Sequence, residues 1–130
     1  RLAPVVVVHS NHPAELDTST GEALRRFINA GIPVLNQAVL LKGVNDDADV
    51  LAELSERLVN LAAMPYYLHQ LDPVTGSLHF QVPVERGLEI IAALRRRLPG
   101  YAVPRYVQEI PGEAHKIDLT GLPPELEKEN

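Results

Sequence analysis

The sequence predicts an α/β fold built from parallel βαβ units, and two observations support this prediction. Short apolar runs alternate three times with segments whose apolar residues recur at helical spacing, and a further run closes the series. The first run, 4–8, is apolar at every position, as expected for a strand of a parallel sheet that is buried on both faces. Four parallel strands with right-handed crossovers do not close a barrel, so we expect a small open sheet or a partial (half) TIM-type barrel.

Strands are predicted over 4–8, 32–41, 64–70 and 103–110, with helices between them. Ser19-Thr20-Gly21-Glu22 has the pattern of a capping box and is predicted to begin the first helix, which Gly31 ends. Pro83 is predicted to begin the third helix, because its missing N–H costs little in a first turn. The apolar stripes of the second and third helices are Leu51, Leu54, Leu58 and Leu61, and Val84, Leu88, Ile91 and Leu94.

Composition indicates one globular domain over 1–118, followed by a flexible tail over 119–130. The chain has 130 residues, of which 45% are hydrophobic and 22% charged. Its net charge of −5 disfavours a general nucleic-acid-binding protein, because such proteins need a basic surface to displace counterions from phosphates. The sequence contains no cysteine, so this chain alone supplies no disulfide, thiolate zinc site or iron–sulfur cluster ligands.

Nothing in the sequence suggests a membrane protein. The longest apolar run, 3–8, is far shorter than a membrane span, and we recognise no secretory signal, so we expect a cytoplasmic protein without a membrane partner. The chain begins at Arg1 rather than at a methionine, and a predicted strand follows almost at once. We therefore expect it to be a piece of a longer protein.

Polar side chains occur at or near the carboxyl end of every predicted strand, which is where parallel α/β folds bind ligands. Each has an ordinary alternative explanation, such as a turn, a backbone hydrogen bond or simple packing. Together they predict a small-molecule cleft that combines carboxylates, aromatic faces and an amine. The residues are His9, Asn11, His12, Asn36, Gln37, Tyr66, Tyr67, His69, Asp72, Glu109 and Lys116.

Lys116 is the most informative of these residues. It follows a Pro-Gly turn just past the fourth predicted strand, where an amine could form a Schiff base with a carbonyl compound. Only the unprotonated amine attacks a carbonyl, so such a lysine needs burial or a nearby cation. The alternative is a solvated surface lysine, which is the usual state of this residue type.

A metal site is not expected. His9 and His12 lie three residues apart on an extended segment and should point to opposite faces, and His69, His79 and His115 lack the spacing of metal ligands. The sequence also lacks a Gly-rich phosphate loop of the Walker or dinucleotide type.

Several segments, in order, resemble the lysine 2,3-aminomutase family. They are 9–15 (HSNHPAE), 31–46 (GIPVLNQAVLLKGVND), 65–72 (PYYLHQLD), 100–104 (GYAVP) and 111–116 (PGEAHK). The resemblance implies a radical S-adenosylmethionine enzyme that also carries pyridoxal phosphate on a partial (β/α) barrel. In such enzymes, the protein binds and places cofactors that supply the difficult chemistry.

The resemblance also implies roles for individual residues. Lys116 corresponds to the lysine that forms a Schiff base with pyridoxal phosphate. Asp72 and Glu109 correspond to the acidic residues around the distal ammonium of the substrate lysine, and a buried cation needs such partners. His9 and Gln37 match positions that contact S-adenosylmethionine. His69 occupies a position near pyridoxal phosphate that is tyrosine in other members.

Differences from the family limit what this chain can do. The Cys-x3-Cys-x2-Cys motif that binds the family's 4Fe–4S cluster should lie upstream, so we expect a C-terminal part that is inactive without the N-terminal half of the same protein. Exposed strand edges of such a part predict self-association, which a monomer in light scattering would contradict. Glu109 is longer than the usual aspartate, a feature closer to the branch that makes (R)-β-lysine for modification of elongation factor P.

Two alternatives remain at the level of sequence. The first is an aminomutase for another amino acid such as glutamate, although Asp72 and Glu109 would repel an acidic side chain. The second is a non-catalytic α/β interaction module with no cofactor site.

Overall fold

A computed structural model describes residues 3–72, 78–109, 112 and 116–121, and every structural statement below concerns these residues. The strands are β1 (Val6–Val8), β2 (Val34–Leu40), β3 (Met64–Gln70), β4 (Arg105–Glu109) and β5 (Lys116–Asp118). The α-helices are α1 (Thr18–Asn29), α2 (Ala48–Asn60) and α3 (Val84–Arg97). Short 3-10 helices span Pro13–Glu15, Leu78–Phe80 and Gly100–Ala102.

The strands form one five-stranded sheet in the order β1-β2-β3-β4-β5. The first four strands are parallel to their neighbours, as predicted, and the three predicted helices lie between them. The prediction missed β5, which runs antiparallel to β4. The architecture is therefore an α/β fold with a mostly parallel sheet.

The three helices form one layer on one face of the sheet. Gly21 in α1, which has no side chain, lies close to the Leu61 side chain at the end of α2, and α2 packs beside α3. Leu58 of α2, Leu94 of α3 and Leu68 of β3 are all fully buried in a single hydrophobic core. Because helices cover one face only, β2 alternates strictly between buried and half-buried residues.

The prediction that the first strand is buried on both faces is wrong for the described part of the chain. Val6 and Val8 are half-buried, whereas Val7 is 43% exposed and Val5, just before the strand, is 48% exposed. Val6 and Val8 face the helical layer and Val7 faces away from it. The apolar run allows burial of both faces of the strand, but the described helices cover only one of them.

Helix starts differ from the predicted ones by one or two residues. The first helix begins at Thr18 and its cap is Asp17, whose carboxylate accepts a hydrogen bond of 2.8 Å from the Thr20 N–H. This contact lowers the pKa of Asp17. The capping box at 19–22 was therefore placed two residues late. Pro83 is the cap of α3 rather than its first residue.

Gly31 ends α1 as predicted. Its φ of +80° lies in the left-handed region, which glycine adopts without the penalty that a Cβ would bring. Leu61, predicted in the stripe of the second helix, is the residue after the last turn of α2.

Strand β3 contains an irregularity in its pairing with β2. Asn36 pairs with Pro65 and Gln37 pairs with Tyr67, so Tyr66 is an extra residue between two paired positions. On either side of this bulge, Pro65 and Leu68 are both buried.

The chain end is described only in part. Leu119 packs against the core, and its N–H donates a 2.9 Å hydrogen bond to the Tyr106 carbonyl oxygen. Residues 122–130, most of the predicted tail, lie outside the described residues, as does most of the turn predicted before Lys116. The division into a domain and a tail therefore stays a prediction. Among the described helices, none has the length and hydropathy needed to cross a membrane.

Candidate functional site

The candidate site lies on the sheet face opposite the helices, called here the open face. Strand pairing assigns its side chains, because paired residues project to the same side. Towards the amino ends of the strands, Val7, Leu35 and Met64 form an apolar row. Nearer the carboxyl ends, this face carries polar residues beside the apolar Val39 and Val107. The polar residues are Gln37 and His69 on β2 and β3, Glu109 on β4 and Lys116 on β5.

Lys116 and Glu109 form an ion pair across the β4–β5 edge. They are register partners in the antiparallel pair, and the Lys116 Nζ lies 3.5 Å from the Glu109 Oε1. The lysine side chain is 31% exposed and the glutamate side chain is 70% exposed. The Lys116 amine also lies 5.4 Å from the centre of the Tyr67 ring, within the range of a cation–π interaction.

His69 links this edge of the site to β2. Its Nε2 lies 3.1 Å from the Gln37 Oε1, and its ring meets the Tyr67 ring edge-on at 5.5 Å between centroids. An amide oxygen can only accept a hydrogen bond, so this contact favours the tautomer with its proton on Nε2. The Nδ1 lone pair is then the available acceptor of the imidazole.

The electrostatic environment favours the neutral form of His69. Burial lowers the pKa of His69, and the Lys116 ammonium and the nearby His9 lower it further, while the Glu109 carboxylate acts in the opposite direction. These interactions also show that His9, an exposed residue directly after β1, lies within electrostatic reach of the site.

Tyr67 contacts both the lysine and the histidine and forms the aromatic part of the site. A side-chain hydrogen bond with Tyr66 is the main cause that raises the pKa of Tyr67, and burial adds to it. The Tyr66 and Tyr67 rings are 4.1 Å apart at their centroids. The phenol therefore stays protonated at neutral pH. Asp72 is half-buried two residues beyond the end of β3.

Three polar residues that the sequence suggested for the cleft instead satisfy the backbone. The Asn36 amide is buried on the helix side, where it accepts from the Ser10 N–H and donates to the Ser10 carbonyl oxygen. The Asn11 side chain accepts from the Val39 N–H, and the His12 Nδ1 accepts from the Ala14 N–H. These contacts agree with the ordinary explanations of the three residues.

Sequence reasoning missed the buried Asn45, which performs the same structural task. Its amide donates to the carbonyl oxygens of Asn11 and Val39 and accepts from the Leu41 N–H. Its position in a Gly-Val-Asn-Asp turn was the available signal, because asparagine commonly bonds to nearby backbone in turns.

The implied cofactors fit these residues to different degrees. An amine beside an aromatic ring, near the carboxyl ends of the strands, suits the attachment of an aldehyde cofactor such as pyridoxal phosphate. A 4Fe–4S cluster does not fit, since the sequence has no cysteine. No group of three or more His, Cys, Asp or Glu residues with metal-binding geometry occurs among the described residues.

No family model matches the sequence. Individual proteins do. L-lysine 2,3-aminomutase of Haemophilus influenzae is 43% identical over 116 residues, which are 89% of this chain and 34% of that protein. L-lysine 2,3-aminomutase of Methanococcus maripaludis is 46% identical over 111 residues, which are 85% of this chain and 26% of that protein. The chain belongs to the lysine 2,3-aminomutase family. It spans about a third or less of the curated relatives it matches.

A solved structure supports the fold of this aminomutase-family chain. A radical SAM methyltransferase from Sphaerobacter thermophilus matches with a TM-score of 0.58 over 79% of this chain and 34% of that one. Its sequence is 24% identical, so the similarity concerns the fold alone. The family assignment implied by the sequence motifs is confirmed, whereas the roles of individual site residues stay predictions.

Proposed function

We propose that this chain is the C-terminal part of an L-lysine 2,3-aminomutase, which converts lysine to β-lysine by moving an amino group between adjacent carbons. Lys116 would carry pyridoxal phosphate, and Asp72 and Glu109 would bind the distal ammonium of the substrate. The observation that supports this most directly is the pairing of an amine with a carboxylate 3.5 Å away, on the open face of a chain similar to enzymes of that name.

Two further predicted residues, Gln37 and His69, also lie on the open face. His69 and Gln37, joined at 3.1 Å, would border the two cofactors, with His69 nearer pyridoxal phosphate and Gln37, together with His9, nearer S-adenosylmethionine. A neutral His69 can donate through Nε2 and accept through Nδ1, so it can orient a polar cofactor group without adding a charge. Tyr67 would limit access of water to the amine from one side.

The chain requires the rest of the protein for activity under this proposal. Pyridoxal phosphate, when bound, would stabilise the radical through which the nitrogen migrates. The 4Fe–4S cluster that cleaves S-adenosylmethionine would belong to the N-terminal half, whose strands would complete the half barrel. Self-association of the isolated chain, a cytoplasmic location and a supply of (R)-β-lysine for elongation factor P stay predictions.

The two alternatives are less well supported. An enzyme acting on glutamate would bring a negative side chain towards the Glu109 carboxylate. That carboxylate forms an ion pair with the Lys116 ammonium and suits a cation. A non-catalytic module would not need a half-buried lysine beside an aromatic ring on the ligand-binding side of a parallel sheet.

Reductive labelling tests the proposal. The chain has three lysines, at 42, 116 and 128, so they serve as internal references. Pyridoxal phosphate is added, the imine absorbance is recorded, borohydride fixes the adduct and mass spectrometry maps it. We expect the adduct at Lys116 at low cofactor concentration, and Lys116→Met should abolish it. Equal labelling of the three lysines, or labelling elsewhere only, would contradict the proposal.

A further inference from the structure

We propose that the ammonium of Lys116 is an internal competitor for the cation site at Glu109, so that the aldehyde cofactor and a basic ligand assist each other's binding. This inference rests on the proposed function, since it uses Glu109 as the carboxylate for the ligand's distal ammonium. The predicted roles of Lys116 and Glu109 do not include a coupling between the two binding events, and this inference adds one.

The geometry would bring two cations to the same carboxylate. Lys116 and Glu109 are direct partners in an antiparallel pair, so both side chains project from the open face of the sheet. The 3.5 Å contact brings a primary ammonium to the carboxylate, which is the same chemical group that the side chain of a lysine ligand would present. One carboxylate oxygen that contacts Lys116 is less available to a second cation, and the two cations also repel each other.

Reaction of Lys116 with an aldehyde would remove the competitor. The nitrogen forms a carbon–nitrogen double bond to the aldehyde carbon, the aldehyde oxygen leaves as water, and the proton that made the amine an ammonium passes to solvent. A nitrogen in such a bond retains at most one hydrogen and is directed towards the cofactor. Glu109 is then free to accept the ligand's ammonium. By linkage, a basic ligand at Glu109 favours the same reaction by an equal factor.

The exposure of the pair sets the size of the effect. The Glu109 side chain is 70% exposed, so the pair resembles other solvent-exposed ion pairs and is easily exchanged. Ion pairs of this kind correspond to a factor of roughly 1.4 to 5 in an equilibrium constant. The coupling should therefore be modest, and it should weaken strongly near 1 M salt, where the screening length is about 3 Å.

The experiment measures the affinity of the chain for a cation without any aldehyde present. Nα-acetyl-L-lysine amide is titrated into the wild type and variants carrying a carbon-13 label in glutamate, and binding is followed at the Glu109 carboxyl resonance. We expect Lys116→Met to bind about 1.4 to 5 times more tightly than the wild type. Lys116→Arg, which keeps the cation, should bind like the wild type. Lys42→Met removes the same charge at an exposed position outside the site and should show no gain.

Opposite results would overturn the inference. Equal affinities of the wild type and Lys116→Met would do so, as would an equal gain in Lys42→Met, which would indicate a net-charge effect. Failure of the ligand to shift the Glu109 resonance in Lys116→Met would do so as well. Labelling by pyridoxal phosphate is measured on the same samples. Labelling at Lys116 without an affinity difference would reject only the coupling, whereas an affinity difference without labelling would reject the proposed function.

Discussion

The two faces of the sheet differ in how their polar groups are satisfied. On the helix-covered face, a buried tyrosine, a buried glutamine and a backbone carbonyl bond to one another. The buried Tyr106 hydroxyl donates to the Gln70 Oε1, and the Gln70 amide donates to the Val82 carbonyl oxygen at 2.6 Å. On the open face, the Lys116–Glu109 pair is partly exposed and His69 has an available Nδ1.

Because of this difference, stability and chemistry depend on different side chains of the same strand. A satisfied buried network fixes one arrangement of the core, whereas partly solvated groups can exchange partners with a ligand. Strand β3 takes part in both, since Leu68 points into the core and its neighbour His69 points to the site. Substitutions on the two faces should therefore affect different measurements.

The largest expected effect is on the covered face. Leu68→Ala removes a side chain with no exposed surface and should lower the free energy of unfolding by about 2 to 5 kcal/mol. Met64→Ala on the same strand is the matched control, because Met64 is 47% exposed on the open face and should change stability by about 0.5 kcal/mol or less. Urea denaturation compares the two. Similar losses would mean that the open face is covered in solution.

A smaller loss is expected from Gly87→Ala in α3. A Cβ at Gly87 would overlap the Tyr106 hydroxyl oxygen and the ring carbon that bears it. The forced shift should cost about 1 to 3 kcal/mol, more than the roughly 1 kcal/mol that alanine contributes to helix propensity. Gly100→Ala is the control, since a Cβ there would meet no described atom within 4 Å apart from its chain neighbours. A stabilised Gly87→Ala variant in thermal unfolding would refute this packing.

The smallest effects concern the charge state of His69. Burial, the Lys116 ammonium and the nearby His9 lower its folded-state pKa below the ordinary 6.5. The unfolded state therefore binds a proton first, so the stability contributed by neutral His69 is complete above about pH 6.5 and is lost as the pH falls through the folded-state pKa.

Two substitutions on the open face should move this pKa in opposite directions. Lys116→Met removes a cation and should raise the pKa of His69, whereas Glu109→Gln removes an anion and should lower it. Nitrogen-15 NMR of the imidazole measures both shifts and reports the tautomer. Shifts of the same sign in both variants would show that the charges do not act directly on His69.

Much of the fold followed from the sequence because local signals agreed with the tertiary structure. The bounds of β3 were predicted correctly, since its apolar and aromatic run lies between clear boundaries. The start of α1 was less certain, because 17–20 (DTST) offers four residues able to cap a helix and packing selects among them. β5 was missed because Lys-Ile-Asp is short, polar at both ends and preceded by turn residues.

The candidate site could be predicted only as a cluster. The rule that parallel strands present ligand sites at their carboxyl ends brought His69, Glu109 and Lys116 together in the prediction. The contacts within the cluster depend on register. The ion pair requires the antiparallel pairing of β5, and the lysine–tyrosine contact requires Tyr67 rather than Tyr66 to face the site. No local sequence pattern determines either choice.

The extra residue in β3 determines which side chains of this strand face the core and which face the site. Side chains alternate with a period of two, so an uninterrupted strand that buried Pro65 would also have to bury Tyr67 and His69 and would expose Leu68. As an unpaired extra residue, Tyr66 shifts this alternation by one position, so that Pro65 and Leu68 are both buried. A strand that paired this tyrosine like its neighbours, without a bulge, would have to turn either Pro65 or Leu68 away from the core. The bulge is therefore what lets an intact interior and a reactive surface share one strand.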